Sequence, residues 1–175
     1  KEAEDVLDEV RKAVEESIKH VKRVLEEVEE IVRRSIKHAR DSLRKVKEVI
    51  DKVRTLVRRN EVDKKELEEE LKRLEDEDRK MVKDNRDDNR EANRKVDKMV
   101  KENEDRNRRV EEKVRELNID ERVRREIKRL LDESREVLKE VTKRIRKVSR
   151  DSERVVEKVH RDSKDVLDKV REDVR

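Results

Sequence analysis

A chain with neither glycine nor proline has almost no way to turn, and this one has neither in 175 residues. Average usage would supply about twenty residues of the two types. Without Gly, the left-handed backbone of a tight turn falls to Asn or Asp. Without Pro, nothing inside a segment interrupts a helix. Long helices are therefore the regular structure that such a chain builds most readily. Phe, Tyr, Trp, Cys and Gln are absent as well, and 59% of residues are Asp, Glu, Lys or Arg.

Low apolar content with high charge normally favours disorder. Two features oppose it here. The 54 basic and 50 acidic residues nearly cancel, to +4, and the apolar residues are periodic. Interspersed signs make a solvated salt-bridge surface, whereas nucleic-acid binders gather Lys and Arg on one face and stack bases on aromatic rings. No apolar run approaches the roughly 18 residues that span a bilayer, and no signal-peptide core follows the N-terminus. The expectation is a soluble chain with no natural compartment, cytoplasmic on recombinant expression, with no nucleic-acid, membrane or small-molecule partner. The lack of Cys excludes disulfides, thiolate chemistry and Cys-based zinc sites.

Helix-boundary signals occur twice. Asn60 suits the left-handed stop that Gly usually supplies, Asp63 suits an N-cap with Glu66 completing a capping-box-like pair, and Val62 sits as the staple residue. Asn118, Ile119 and Asp120 repeat that logic, with Glu121 opening an acidic first turn. The signals predict helices over about 2–59, 63–117 and 120–175, with loops near 60–62 and 118–119, each helix roughly 85 Å long at 1.5 Å per residue. Loops this short force antiparallel neighbours. The predicted fold is all-α, an up-down-up bundle in one domain spanning 1–175.

The stripe of the first helix runs Leu7, Val10, Val14, Ile18, Val21, Leu25, Val28, Val32, Ile36, Ala39, Leu43, Val46, Ile50, Val53, Val57. Its spacing repeats every 18 residues, five turns of 3.6. The residues echo it: Ser17-Ile18-Lys19-His20 returns as Ser35-Ile36-Lys37-His38, and Met81-Val82-Lys83-Asp84-Asn85 as Met99-Val100-Lys101-Glu102-Asn103. A heptad seam winds left-handed, whereas a period of 3.6 runs along the axis, so the helices are expected to be nearly straight. The stripe is about 140° wide, which suits burial against two neighbours.

Polar residues interrupt the inner face of the second helix. Asn85, Asn103 and Asp78 fall near the middle of its stripe, Asn89 and Asn107 on the flank. A buried amide or carboxylate without partners costs a few kcal/mol, so partners are expected. The loop positions set a register in which residues at equal height on the first and second helices sum to about 122, and on the second and third to about 238. Asn103 then lies level with Ser17 and Ser134, and Asn85 with Ser35 and Ser152. Asp78 meets Ser42, with His160 and Ser163 close by, and Asn89 lies near Ser149. These positions predict buried hydrogen-bonded layers that fix register. The alternative places the Asn residues on a wetter edge, bonded to water, and burial of Asn85 and Asn103 decides between the two.

His20, His38 and His160 sit at stripe boundaries. Glu157 and His160 have the Glu-x-x-His spacing of di-iron bundles, but the second such motif is missing. No metal or other cofactor is expected. Ser lies three or four residues from each His, yet catalysis also needs an oxyanion stabiliser and a pocket, which a Gly-free straight bundle is not expected to offer. If Asp78 meets His160, the ion pair is expected to hold the carboxyl below its usual range.

The depleted alphabet, the matched helix lengths, the Asn-to-Asp loops, the 18-residue period and the Ser/Asn layers together resemble de novo designed parametric helical bundles with buried hydrogen-bond networks. The resemblance covers Lys1 to Arg175 and is one of style, so it implies a structural scaffold and transfers no functional residue. Self-association or helix exchange is the alternative, and an enzyme is not expected.

Overall fold

The computed structural model describes residues 2–174 and is a three-helix bundle: α1 Glu2–Arg58, α2 Lys64–Glu116 and α3 Glu121–Val174. No strand occurs among the described residues.

The two connections are built differently. At the end of α1, Asn60 takes a left-handed φ of 56°. Glu61 N–H donates to the Leu56 carbonyl at 3.0 Å and Asn60 N–H to that of Val57 at 3.1 Å, the paired bonds of a Schellman stop. Asp63 Oδ1 then accepts from the N–H groups of Lys65 at 3.0 Å and Glu66 at 3.4 Å, satisfying donors that the first turn of α2 leaves orphaned. The second connection departs from the expected repeat of that logic. Among the described residues Asn60 alone has positive φ outside Gly, so Asn118 is not a left-handed stop. Instead Ile119 N–H turns back to the Leu117 carbonyl at 3.0 Å, and the Arg124 guanidinium donates to the same oxygen at 3.2 Å. A long side chain from the following helix does here what backbone conformation does at Asn60. Ile119 itself is buried.

The chain packs as two compact units, Lys1–Glu30 with Glu91–Val148, and Ile31–Arg90 with Ser149–Arg175. In the first unit, Glu9 pairs with Lys113, His20 with Glu102 and Glu27 with Lys95, each pair summing to 122, which fixes α1 and α2 antiparallel. Arg11 meets Glu126 and Glu29 meets Arg144, each 115 apart, so α3 runs parallel to α1. Its core gathers Val6, Val10 and Val14 of α1 with Ile119, Val123, Ile127 and Leu131. In the second unit, Asn85 with Ser152, Asp78 with His160 and Glu68 with Arg171 sum to between 237 and 239, again antiparallel. Its cores join Val46, Ile50 and Val53 to Leu67, Leu71, Leu74, Leu167 and Val170, and Ala39 to Met81, Val156 and Val159.

Burial corrects the expected stripe of α1. Val6, Val24 and Ile31 are buried, while Leu7, Ile18, Leu25, Ile36 and Leu43 are half-buried, and Val57 is 42% exposed. The deep line lies between the arcs facing α2 and α3, and small Val, Ala and Ser fit it, leaving the longer residues to cover its edges. On α2, Asn89 and Asn107, expected on the flank, are buried with the rest.

Candidate functional site: buried polar layers

Each helix returns to the same azimuth after 18 residues, so one layer of the bundle has copies. On α1 the copies are Ser17, Ser35 and Val53, on α2 Asn103, Asn85 and Leu67, and on α3 Ser134, Ser152 and Val170, all nine of them buried. Val53, Leu67 and Val170 make an apolar layer within one core cluster. The other two are polar.

In the Asn85 layer, the amide nitrogen of Asn85 donates to Ser35 Oγ at 2.7 Å and to Ser152 Oγ at 3.0 Å. Both of its hydrogens are used, one toward each neighbouring helix. Asn85 Oδ1 accepts from Asn89 Nδ2, one turn on, at 3.4 Å. Ser149, expected beside Asn89, has a buried Oγ without a hydrogen-bond partner.

The Asn103 layer has the same three residue types and a different outcome. Asn103 is 1% exposed, and neither its amide nitrogen nor its oxygen has a hydrogen-bond partner in the chain. Ser17 Oγ accepts instead from Arg106 Nη1 at 3.4 Å. The layer thus brings the expected residues together without the expected bonds. Arg106 follows Asn103 by one turn, and its length and charge let it reach the hydroxyl from the surface. The corresponding residue of the other layer, 18 positions earlier, is Asp88. Its side chain is shorter and, when ionised, has no donor, so it does not compete for Ser35. Asn107 is buried one turn beyond.

Asp78 contacts His160 through Oδ2 and Nδ1. Ser42 is half-buried, and Ser163 is fully buried with its Oγ unpartnered, so the hydroxyl of Ser163 does not complete this cluster. The carboxyl pKa is raised, contrary to the sequence expectation: burial outweighs the hydrogen bond and charge of His160. Asp78 and His160 border an open cleft of about 400 Å³, which corrects the expectation that the bundle offers no pocket.

Sequence reasoning missed the arginines. Arg106 enters the Ser17 layer, and Arg171 pairs with Glu75 and, at 3.2 Å, with Glu68. Hydrogen bonding to Glu75 raises the pKa of Arg171 further. The equal-height rule contains the signal for Arg106, since it and Ser17 sum to 123, but long charged side chains at stripe edges read as solvated. His20 meets Glu102 at 3.4 Å, and His38 is exposed. Among the described residues no group of three or more His, Cys, Asp or Glu could hold a metal ion, and no helix is long and apolar enough to cross a membrane.

No protein-family model matches the chain, and no curated protein matches it. A solved structure described as a computationally designed three helix bundle is similar to it, with a TM-score of 0.41 and 14% sequence identity, over 98% of this chain and 82% of that one.

Proposed function

We propose that the chain is a structural scaffold, a designed helical bundle without a natural biochemical activity, whose buried Ser, Asn, Asp and His layers specify how its helices align. The observation that carries this reading is Asn85, which donates to one serine on each neighbouring helix. A shift of either neighbour by one residue rotates its serine by about 100° and withdraws the acceptor, leaving a buried amide unpaired. An apolar layer tolerates the same shift with less loss. The test is a Ser35→Ala/Asn85→Leu/Ser152→Ala variant. The expected result is retained helicity with a heterogeneous register, seen as multiple amide resonances for the residues around 85. A single sharp set of resonances in the native register would overturn the reading.

A second reading, self-association, rests on one face of the Ile31–Arg90 and Ser149–Arg175 unit. There Val57, 42% exposed, borders a groove of about 710 Å³ floored by Ile50, Val53, Val166 and Val170. Sedimentation separates the two: a particle of 21.4 kDa supports the plain scaffold, and a stable multiple of that mass supports assembly.

A further inference from the structure

The cleft beside Asp78 holds chemistry that a scaffold does not use. Asp78 is 4% exposed, and its second oxygen, Oδ1, has no hydrogen-bond partner in the chain. Its Oδ2 meets Nδ1 of His160. An ionised carboxylate has no proton to give, so Nδ1 carries the hydrogen and donates it. In the neutral imidazole the lone pair then lies on Nε2, the nucleophilic atom. The His160 side chain is 40% exposed and lines the cleft, so that atom has access to solutes. The remaining wall is Glu75, Arg79 and Leu167 with Lys164, Asp168 and Arg171, and α1 contributes no residue to it. Arg171 is held by Glu75 and Glu68, and Arg79 approaches Asp76 at 3.6 Å. Lys164, one turn beyond His160 on α3, is placed to attract developing negative charge. Neither of the other histidines has this arrangement: His20 turns its Nε2 to Glu102, and His38 is exposed.

We propose that His160 is an acyl-accepting nucleophile for activated aryl esters of short carboxylic acids, with Asp78 as its positioning residue. Nε2 attacks the ester carbonyl, the carbon–oxygen bond to the aryl group breaks, and the phenolate leaves with the bonding pair. The acyl-imidazolium gives its Nδ1 proton to the Asp78 carboxylate. Water then adds to the acyl carbon and gives up one of its protons through solvent to the phenolate, the carbon–nitrogen bond breaks back onto Nε2, and Nδ1 recovers the proton from Asp78. The net reaction is ester plus water to carboxylic acid plus phenol.

The test mixes the full chain with p-nitrophenyl acetate at neutral pH. It follows p-nitrophenolate release and observes the acetyl group by carbon NMR at neutral pH with carbonyl-labelled ester, which separates an acyl-imidazole from a lysine amide. Release by the unmodified chain is expected to exceed that of His160→Gln by roughly tenfold or more, while a His20→Gln/His38→Gln variant keeps the full rate. Asp78→Asn is expected to slow release several-fold and to show Nε2–H character in the nitrogen NMR of His160, a tautomer change that a purely structural role for Asp78 does not produce. The acyl-imidazole carbonyl signal needs no variant, so it decides the matter even if His160→Gln folds poorly. Lysine acetylation that is the same with and without His160, or equal release with and without His160, overturns the proposal.

Discussion

Ser35, Asn85 and Ser152 are the residues eighteen positions away, helix by helix, from Ser17, Asn103 and Ser134, and the two layers still end differently. In one, a single amide joins three helices through bonds of 2.7 and 3.0 Å. In the other the amide is equally buried and bonded to nothing in the chain, and one of its two serines accepts from Arg106 instead. Backbone position and residue identity are the same at the centre of both layers. What differs lies one turn away, Arg106 against Asp88 on α2 and Leu131 against Ser149 on α3. The residues around a buried layer, and not its members alone, are thus where the two layers can be told apart. The third copy, Val53, Leu67 and Val170, removes the question by having no polar atom to satisfy, and it supplies an internal standard for both.

The standard can be transplanted. Ser17→Val/Asn103→Leu/Ser134→Val writes the apolar layer into the open one, and Ser35→Val/Asn85→Leu/Ser152→Val writes it into the closed one. The first exchange removes an orphaned amide and buries three aliphatic side chains, so a gain of about 3–5 kcal/mol is expected in denaturant unfolding. The second buries the same carbon but discards three made hydrogen bonds, two from Asn85 to the serines and one from Asn89 to Asn85, and its gain is expected to be smaller by about 1–3 kcal/mol. Equal gains from the two exchanges would mean that the amides of Asn85 and Asn103 are equally satisfied, and the comparison would fall.

The three helices were legible because periodicity and punctuation are local. The 18-residue spacing follows from 3.6 residues per turn, and the left-handed stop at Asn60 needs only the residues beside it. The heights of Asn85, Ser35 and Ser152 were legible too, since short loops leave little freedom in register. Contacts that depend on side-chain length and competition were not. Arg106 reads as a solvated surface residue, and only its reach across to Ser17 makes it part of the layer. The carboxyl of Asp78 was misjudged for a related reason: pairing suggests a lowered pKa, but burial depends on how closely α3 covers it, which periodicity does not measure. Asn118 looked like Asn60, and the difference lay four residues beyond Asp120, in Arg124.

If Arg106 is what separates the layers, replacing it should make them alike. Arg106→Asp gives the Asn103 layer the rim residue of the other. Asn103 Nδ2 is then expected to donate to Ser17 and Ser134, with a gain of about 1–2 kcal/mol from satisfying a buried amide. The side-chain amide protons of Asn103 should move toward the shifts and exchange protection of those of Asn85. Unchanged Asn103 signals in this variant would show that some other feature of the Lys1–Glu30 and Glu91–Val148 unit holds the layer open.

Asp78 offers the finest comparison, because it is a second buried group with an unpartnered atom, and this one titrates. Burial raises its carboxyl pKa, and the His160 hydrogen bond and charge only partly offset that. Between the unfolded carboxyl value and the raised folded one, the folded chain binds more protons than the unfolded chain, so stability falls as pH rises through that window. Asp78→Asn removes the titration and sets a neutral amide beside His160 in place of the carboxyl. The variant is therefore expected to be more stable than the parent chain at neutral pH. As pH falls through the raised folded value toward 3.8, its advantage should shrink. The effect should be smaller than that of either layer exchange, because a partner already stands beside the charge, whereas Asn103 has none. An advantage for Asp78→Asn that grows on acidification would reverse the sign, and would mean that the bond to His160 outweighs burial.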